Sequence, residues 1–187
     1  MLEKVFRLGA VLGLMSTTAF AETTTSPYAD WTDRQIKALS SEQISIYTDG
    51  KGGGYALAAE LNGVPGPRHA LELAESLGLS QSQHHSLMAL FSEMETEAKA
   101  LGHEIIQAEQ RLDEFFANGG RDPEVLATLT GDVAALEGKL RAVHLAAHLK
   151  TAAILKREQT AQYIELRGYQ ENDGNHDGHD SREHGHH

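Results

Sequence analysis

The stretch ANGGRDPE, Ala117 to Glu124, is the turn on which the fold prediction depends. Gly119 and Gly120 are typical of the end of an α-helix. Asp122 is a good N-cap, and Pro123 suits the first position of a new helix. One helix therefore ends and another begins within this stretch, which predicts a tight turn between two helices.

Apolar residues on both sides of this turn recur at steps of three and four, the period of an α-helix. Before the turn they are Leu87, Leu90, Phe91, Met94, Ala98, Leu101, Ile105, Ala108, Leu112 and Phe115. After the turn they are Leu126, Leu129, Val133, Leu136, Leu140, Val143 and Ala147. The two runs predict long amphipathic helices that form an antiparallel hairpin. No segment alternates for long enough to predict a strand, so the predicted fold class is all-α.

Helix-start motifs place short helices around the hairpin. LSSEQ, Leu39 to Gln43, and LSQSQ, Leu79 to Gln83, each offer a serine N-cap and a glutamine at N3, which is a capping box. Glycines between Thr48 and Tyr55 predict a loop. We expect further short helices at Tyr55 to Asn62, His69 to Leu77 and Arg157 to Arg167. One partner helix cannot cover either long apolar stripe, so the short helices or a second copy must do so, and we expect a dimer.

Both ends of the chain differ in composition from the helical domain, which we place at residues 39–169. Residues 1–21 combine Lys4 and Arg7, a short apolar stretch and the sequence Ala19-Phe20-Ala21, the layout of a cleaved secretory signal peptide. Residues 22–38 are predicted to be a flexible leader. Residues 170–187 hold five histidines and five acidic residues but no apolar side chain, which predicts a disordered tail.

Charge and cysteine content exclude several classes of function. The chain has 27 acidic and 16 basic residues, a formal net charge of -11, which disfavours binding to nucleic acid or to anionic lipid. It has no cysteine, which excludes disulfides, thiolate metal sites and cysteine nucleophiles. A transition-metal site in this chain must therefore use histidine, carboxylate or methionine ligands.

The stretch LRAVHLAAHL, Leu140 to Leu149, contains the most specific candidate site. His144 and His148 are one helical turn apart, so both imidazoles can reach one ion. Imidazole suits divalent Zn, Ni, Co or Cu. The alternative is a pair of solvated or hydrogen-bonded histidines beside the core stripe.

Pairing the two long helices about the turn places this histidine pair opposite Phe91 to Glu97. We therefore predict Glu97 as a third, carboxylate ligand. The tail histidines are predicted to chelate metal weakly, and the competing interpretation is a solvated tail without a ligand. These tail residues are His176, His179, His184, His186 and His187.

The export signal, the helical hairpin and three short motifs together resemble the periplasmic Spy/CpxP superfamily, which includes zinc-resistance-associated proteins and nickel or cobalt sensors. LSSEQ, LSQSQ and LKREQ, Leu155 to Gln159, are similar to the L-T-x-x-Q motif of that group, and the resemblance covers Leu39 to Tyr169. It implies an all-α periplasmic dimer that binds unfolded proteins without ATP, or that binds metal and reports envelope stress. His144 and His148 match the His-x-x-x-His pair of the metal sensors. Lys156 departs from the motif, because it stands where Ser or Thr is expected.

The sequence contains no catalytic motif, so we predict a non-enzyme without an organic cofactor. The leading hypothesis is a periplasmic, metal-responsive stress protein that binds unfolded envelope proteins as a homodimer. One alternative is a heavy-metal sensor that signals to a membrane partner, such as an anti-sigma factor or a histidine kinase. Another is a structural helical module without a ligand.

Overall fold

The computed structural model describes residues 25–169, and the predicted signal peptide and histidine-rich tail lie outside them. The described part of the chain is helical and contains no strand, which confirms the predicted all-α class. Its α-helices are α1 (Ser41–Asp49), α2 (Leu57–Glu60), α3 (Pro67–Glu72), α4 (Gln81–Ala117), α5 (Pro123–Ile154) and α6 (Arg157–Leu166).

The chain divides into two units, of which the first ends at Thr32 and the second begins at Asp33. In the first unit, the rings of Tyr28 and Trp31 meet edge to face, with centroids 4.9 Å apart. In the second unit, Ile36 is 2 % exposed and belongs to the hydrophobic core. The leader that we predicted to be flexible up to residue 38 therefore contributes to the core at its C-terminal end.

The two long helices form the predicted hairpin. Gly119 takes a positive φ of 75° after α4, and the carboxylate of Asp122 accepts the backbone N–H of Glu124 at the start of α5. Across the hairpin, Lys150 Nζ lies 3.5 Å from Glu93 Oε1. A residue near the end of α5 thus faces one near the start of α4, as an antiparallel pair requires.

The shorter helices cover the hairpin through two apolar clusters. One cluster joins the leader, α1, α4 and α5, and consists of Ile36, Leu39, Tyr47, Ala98, Ile105 and Leu140. The other joins α3, α4 and α6 with the segments beside them, and consists of Ala70, Leu77, Leu87, Leu155 and Tyr163. The end of α1 crosses α4 at Gly102, where a side chain would overlap the backbone of Tyr47.

The glutamines of two helix-start motifs, Gln83 in LSQSQ and Gln159 in LKREQ, form hydrogen bonds with each other. Ser80 and Gln83 form the predicted capping box at the start of α4. At the start of α6, Gln159 accepts the backbone N–H of Lys156, although the lysine side chain has no acceptor. The two glutamine amides bond reciprocally, at 2.7 and 3.2 Å. Gln83 also donates to the carbonyl of Ile154, and Gln159 donates to that of Leu77.

Candidate functional site

The histidine pair lies on the buried face of α5. His144 is 3 % exposed and His148 is 8 % exposed, and between them Ala147 is also buried. Apolar spacing predicts Val143 and Ala147 on that face, with the histidines beside it. Ala147 lies there as predicted, whereas Val143 is only partly buried. The two imidazoles share the buried face, because α2, α3 and the loop between them cover this part of the hairpin.

Both imidazoles line a cavity of about 270 Å³, here called the histidine cavity. The glycine-rich loop 50–54 and the segment 66–69 form one side of it, and α4 forms another. The polar and sulfur-containing side chains that line it include Asp49, Glu60, His69, Met94, Glu95, His144 and His148.

The ring of His148 is held by one nitrogen. Nδ1 lies 2.8 Å from the carbonyl oxygen of Val64. Because that oxygen can only accept, Nδ1 carries the proton, and Nε2 keeps its lone pair when the ring is neutral. A Cβ at Gly66 would lie 2.7 Å from Nε2, so the glycine leaves room beside that nitrogen. A backbone acceptor on Nδ1 is the arrangement that orients metal-ligating histidines.

His144 has a buried nitrogen without a partner. Its Nε2 makes no hydrogen bond within residues 25–169, and its ring lies parallel to that of Tyr55, with centroids 6.1 Å apart. Burial, and to a smaller extent the charge of His148, lowers the pKa of His144 below its usual value. The neutral imidazole, which is the form that binds metal, is therefore favoured in the folded protein.

Glu60 is a buried carboxylate that the sequence analysis did not identify. Its Oε1 accepts hydrogen bonds from the hydroxyls of Tyr163 and Tyr169 at 2.7 and 3.1 Å and from Arg167 Nε at 3.2 Å. His69 Nδ1 also lies 3.2 Å from the same oxygen. Burial alone would raise the pKa of Glu60, but the hydrogen bond from Tyr163 and the charge of His69 contribute to a net lowering. Glu60 thus remains ionised and links α2 to α3 and to the end of α6.

The predicted third ligand does not join the histidine pair. Glu97 lines a separate groove between α4 and α5, together with Glu93, Lys139 and Lys150. This groove has a volume of about 370 Å³, and we call it the α4–α5 groove. Its apolar lining includes Leu90, Met94, Leu101, Val143 and Ala146. The difference arises because the two imidazoles face α2 and α3, whereas Glu97 faces the groove between α4 and α5.

No three His, Asp or Glu side chains within residues 25–169 are grouped closely enough to hold a metal ion. A purely nitrogen and oxygen ligand set is therefore not assembled in this part of the chain. The predicted tail ligands, His176, His179, His184, His186 and His187, lie outside the described residues.

Gly66 shapes the site, but its sequence context gave only a weak indication of this role. Gly66 stands between two prolines in the VPGP stretch, which indicated only a helix break. In the structure its backbone lies against the ring of His148, so that a Cβ at this position would meet Nε2. Glu60 carried no signal, because a single carboxylate in a predicted helix is usually solvated.

Comparison with protein-family models, curated proteins and solved structures finds no match for this chain. The resemblance to the Spy/CpxP superfamily therefore stays a prediction. None of the helices within residues 25–169 combines the length and the apolar character needed to cross a bilayer.

Proposed function

We propose that this protein is a metal-responsive stress protein of the cell envelope, which binds a transition-metal ion through His144 and His148 and apolar segments of unfolded proteins through the α4–α5 groove. This proposal retains the function predicted from the sequence and replaces the location of its metal site. The ion enters the histidine cavity rather than the hairpin surface beside Glu97.

One observation carries the metal proposal: the buried Nε2 of His144 has no hydrogen-bond partner within the described residues. An unsatisfied buried polar group costs roughly 1–3 kcal/mol. In the tautomer whose proton is on Nδ1, the lone pair of this Nε2 would bind a metal ion, and that bond would offset the cost. His148 offers a second nitrogen one turn away, already oriented by Val64.

Calorimetric titration with Zn(II) and Ni(II) tests this role. We compare the full chain with His144→Leu, which removes the unpaired nitrogen and keeps an apolar side chain. We expect one binding site to be lost, while the sites of the five tail histidines stay the same. Glu97→Gln is the matched control and should bind metal like the parent. Unchanged metal binding in His144→Leu would refute the role of the pair.

The α4–α5 groove supports the second activity. Its lining is mostly apolar, while Glu93 and Glu97 lie on the α4 side and Lys139 and Lys150 on the α5 side. Such a groove suits an apolar chain segment flanked by polar residues, and it requires no nucleotide.

We propose that the chain acts here as a homodimer in the periplasm, and sedimentation of the mature protein tests the dimer.

An aggregation assay with a chemically unfolded client addresses the groove. The parent should slow client aggregation without ATP, and Ala146→Arg should lose this effect because it places a charge in the groove. Ala135→Arg is the control, since Ala135 is an exposed residue of the same helix and does not line the groove. Equal activity of the two variants would mean that clients bind elsewhere.

A further inference from the structure

The carboxylates around the histidine cavity already have cationic partners. Asp49 Oδ2 lies 2.8 Å from Lys51 Nζ, and Glu95 Oε1 lies 3.3 Å from Lys99 Nζ. Glu60 is buried and accepts from Arg167 and two tyrosines. A hard, oxygen-preferring ion would have to displace these contacts to find a ligand.

The donors that remain in the cavity wall are softer. They belong to His144, His148 and Met94, two imidazoles and one thioether whose side chains line the same cavity. His69 also lines the cavity, but its side chain is 35 % exposed and its Nδ1 is directed to Glu60. Met94 is partly buried, and it is the only sulfur in the lining of this cavity.

From this donor set we infer that the histidine cavity is a Cu(I) site, with His144, His148 and Met94 as ligands. Thioether ligands select Cu(I) over Zn, while imidazole binds copper as well. The absence of cysteine makes methionine the only sulfur ligand that this chain has. The inference rests on the proposed metal role of the pair and specifies its metal and its third ligand.

Sequence composition provides a matched control. Outside residues 1–21 the chain has only two methionines, Met88 and Met94. Both lie on α4, but Met88 is 51 % exposed and lines a separate surface depression with His84 and His85. Leucine replaces either methionine with little change in volume and removes the sulfur.

The experiment is an anaerobic Cu(I) competition titration of the full chain against the chromophoric chelator bicinchoninate, with a parallel Zn(II) titration. Met94→Leu should weaken Cu(I) binding by roughly tenfold or more, since loss of even an outer-shell partner has an effect of that size. Its Zn(II) binding should stay the same. Met88→Leu should match the parent for both metals.

X-ray absorption of the Cu(I)-loaded protein gives an independent readout. A sulfur neighbour of copper is expected in the parent and in Met88→Leu but not in Met94→Leu. Absence of sulfur in the parent, or its loss in Met88→Leu, overturns the inference even if a variant folds poorly.

The two proposals fail in different ways. If Met94→Leu binds Cu(I) like the parent while His144→Leu loses a metal site, the copper inference is wrong and the proposed metal function stands. If His144→Leu leaves Cu(I), Zn(II) and Ni(II) binding unchanged, both are wrong.

Discussion

Replacing Gly102 by alanine adds one methyl group where α1 ends against α4. The new Cβ would overlap the carbonyl oxygen of Tyr47 and would lie 2.6 Å from its carbonyl carbon and 2.9 Å from its Cα. Backbone atoms cannot rotate away as a flexible side chain can. The end of α1 must therefore move outwards, and Tyr47, a core residue that donates to Glu137 at 3.0 Å, must move with it.

Two opposing contributions set the size of the effect. Alanine is favoured over glycine inside a helix by about 1 kcal/mol. Overpacking of a core typically costs about 1–3 kcal/mol, and the upper end applies at Gly102 because the neighbour is backbone. We therefore expect Gly102→Ala to lower the free energy of unfolding by about 2 kcal/mol, which for a chain of this size lowers Tm by roughly 4–8 °C.

Gly138→Ala is the matched control, because Gly138 lies inside α5 and a Cβ there would meet nothing within 4 Å. Only the higher helix propensity of alanine applies here, so the free energy of unfolding of this variant should rise by about 1 kcal/mol. Urea unfolding followed by far-ultraviolet circular dichroism measures both. If Gly102→Ala stabilises the protein as much as Gly138→Ala does, α1 does not pack on Gly102 and the reasoning is refuted.

Three further predictions concern the helix-start glutamines and the histidine cavity. Gln159→Ala should lower the free energy of unfolding, measured in urea, by roughly 2–3 kcal/mol, because it leaves several buried partners without a hydrogen bond. The control is Gln43→Ala at an exposed helix cap, which should lower the same free energy by about 1 kcal/mol or less. Gly66→Ala should push on the ring of His148 and weaken metal binding in calorimetry without loss of helix content. Because burial lowers the pKa of His144, the unfolded chain takes up this proton first as pH falls, so the contribution of His144 to stability should be constant above pH about 6.5 and decline below it. His144→Leu should reduce that decline when the free energy of unfolding is measured in urea above and below pH about 6.5. If the variant and the parent lose the same stability over this range, His144 is not the group responsible.

The hairpin and its helix starts were predictable because their signals are local. Gly119, Asp122 and Pro123 act within a few residues, and the capping box of Ser80 and Gln83 acts within one turn. These interactions need no knowledge of what packs on the helices. The same holds for the long apolar periodicity of α4.

The orientation of α5 was not predictable in the same way. Hydropathy favours Val143 for the buried face, yet the structure buries His144 and His148, since α2, α3 and Tyr55 cover them. That cover depends on contacts such as the one between Val64 and His148, 84 positions apart. Glu97 was expected at the pair for the same reason and lies in another groove. The close approach at Gly102 was not predictable either, because Gly138 also lies inside a long helix and a Cβ there would meet nothing within 4 Å.

The reciprocal bond between Gln83 and Gln159 has a consequence for sequence divergence. Each amide needs both its oxygen and its NH₂ group: the oxygen accepts at its own helix start, and the NH₂ group donates to a distant carbonyl. Glutamate at either position would lack the donor, and a shorter side chain would not span the gap. A substitution at only one of the two positions would therefore remove hydrogen bonds that the other glutamine needs. In an alignment of relatives the two positions should change together or not at all.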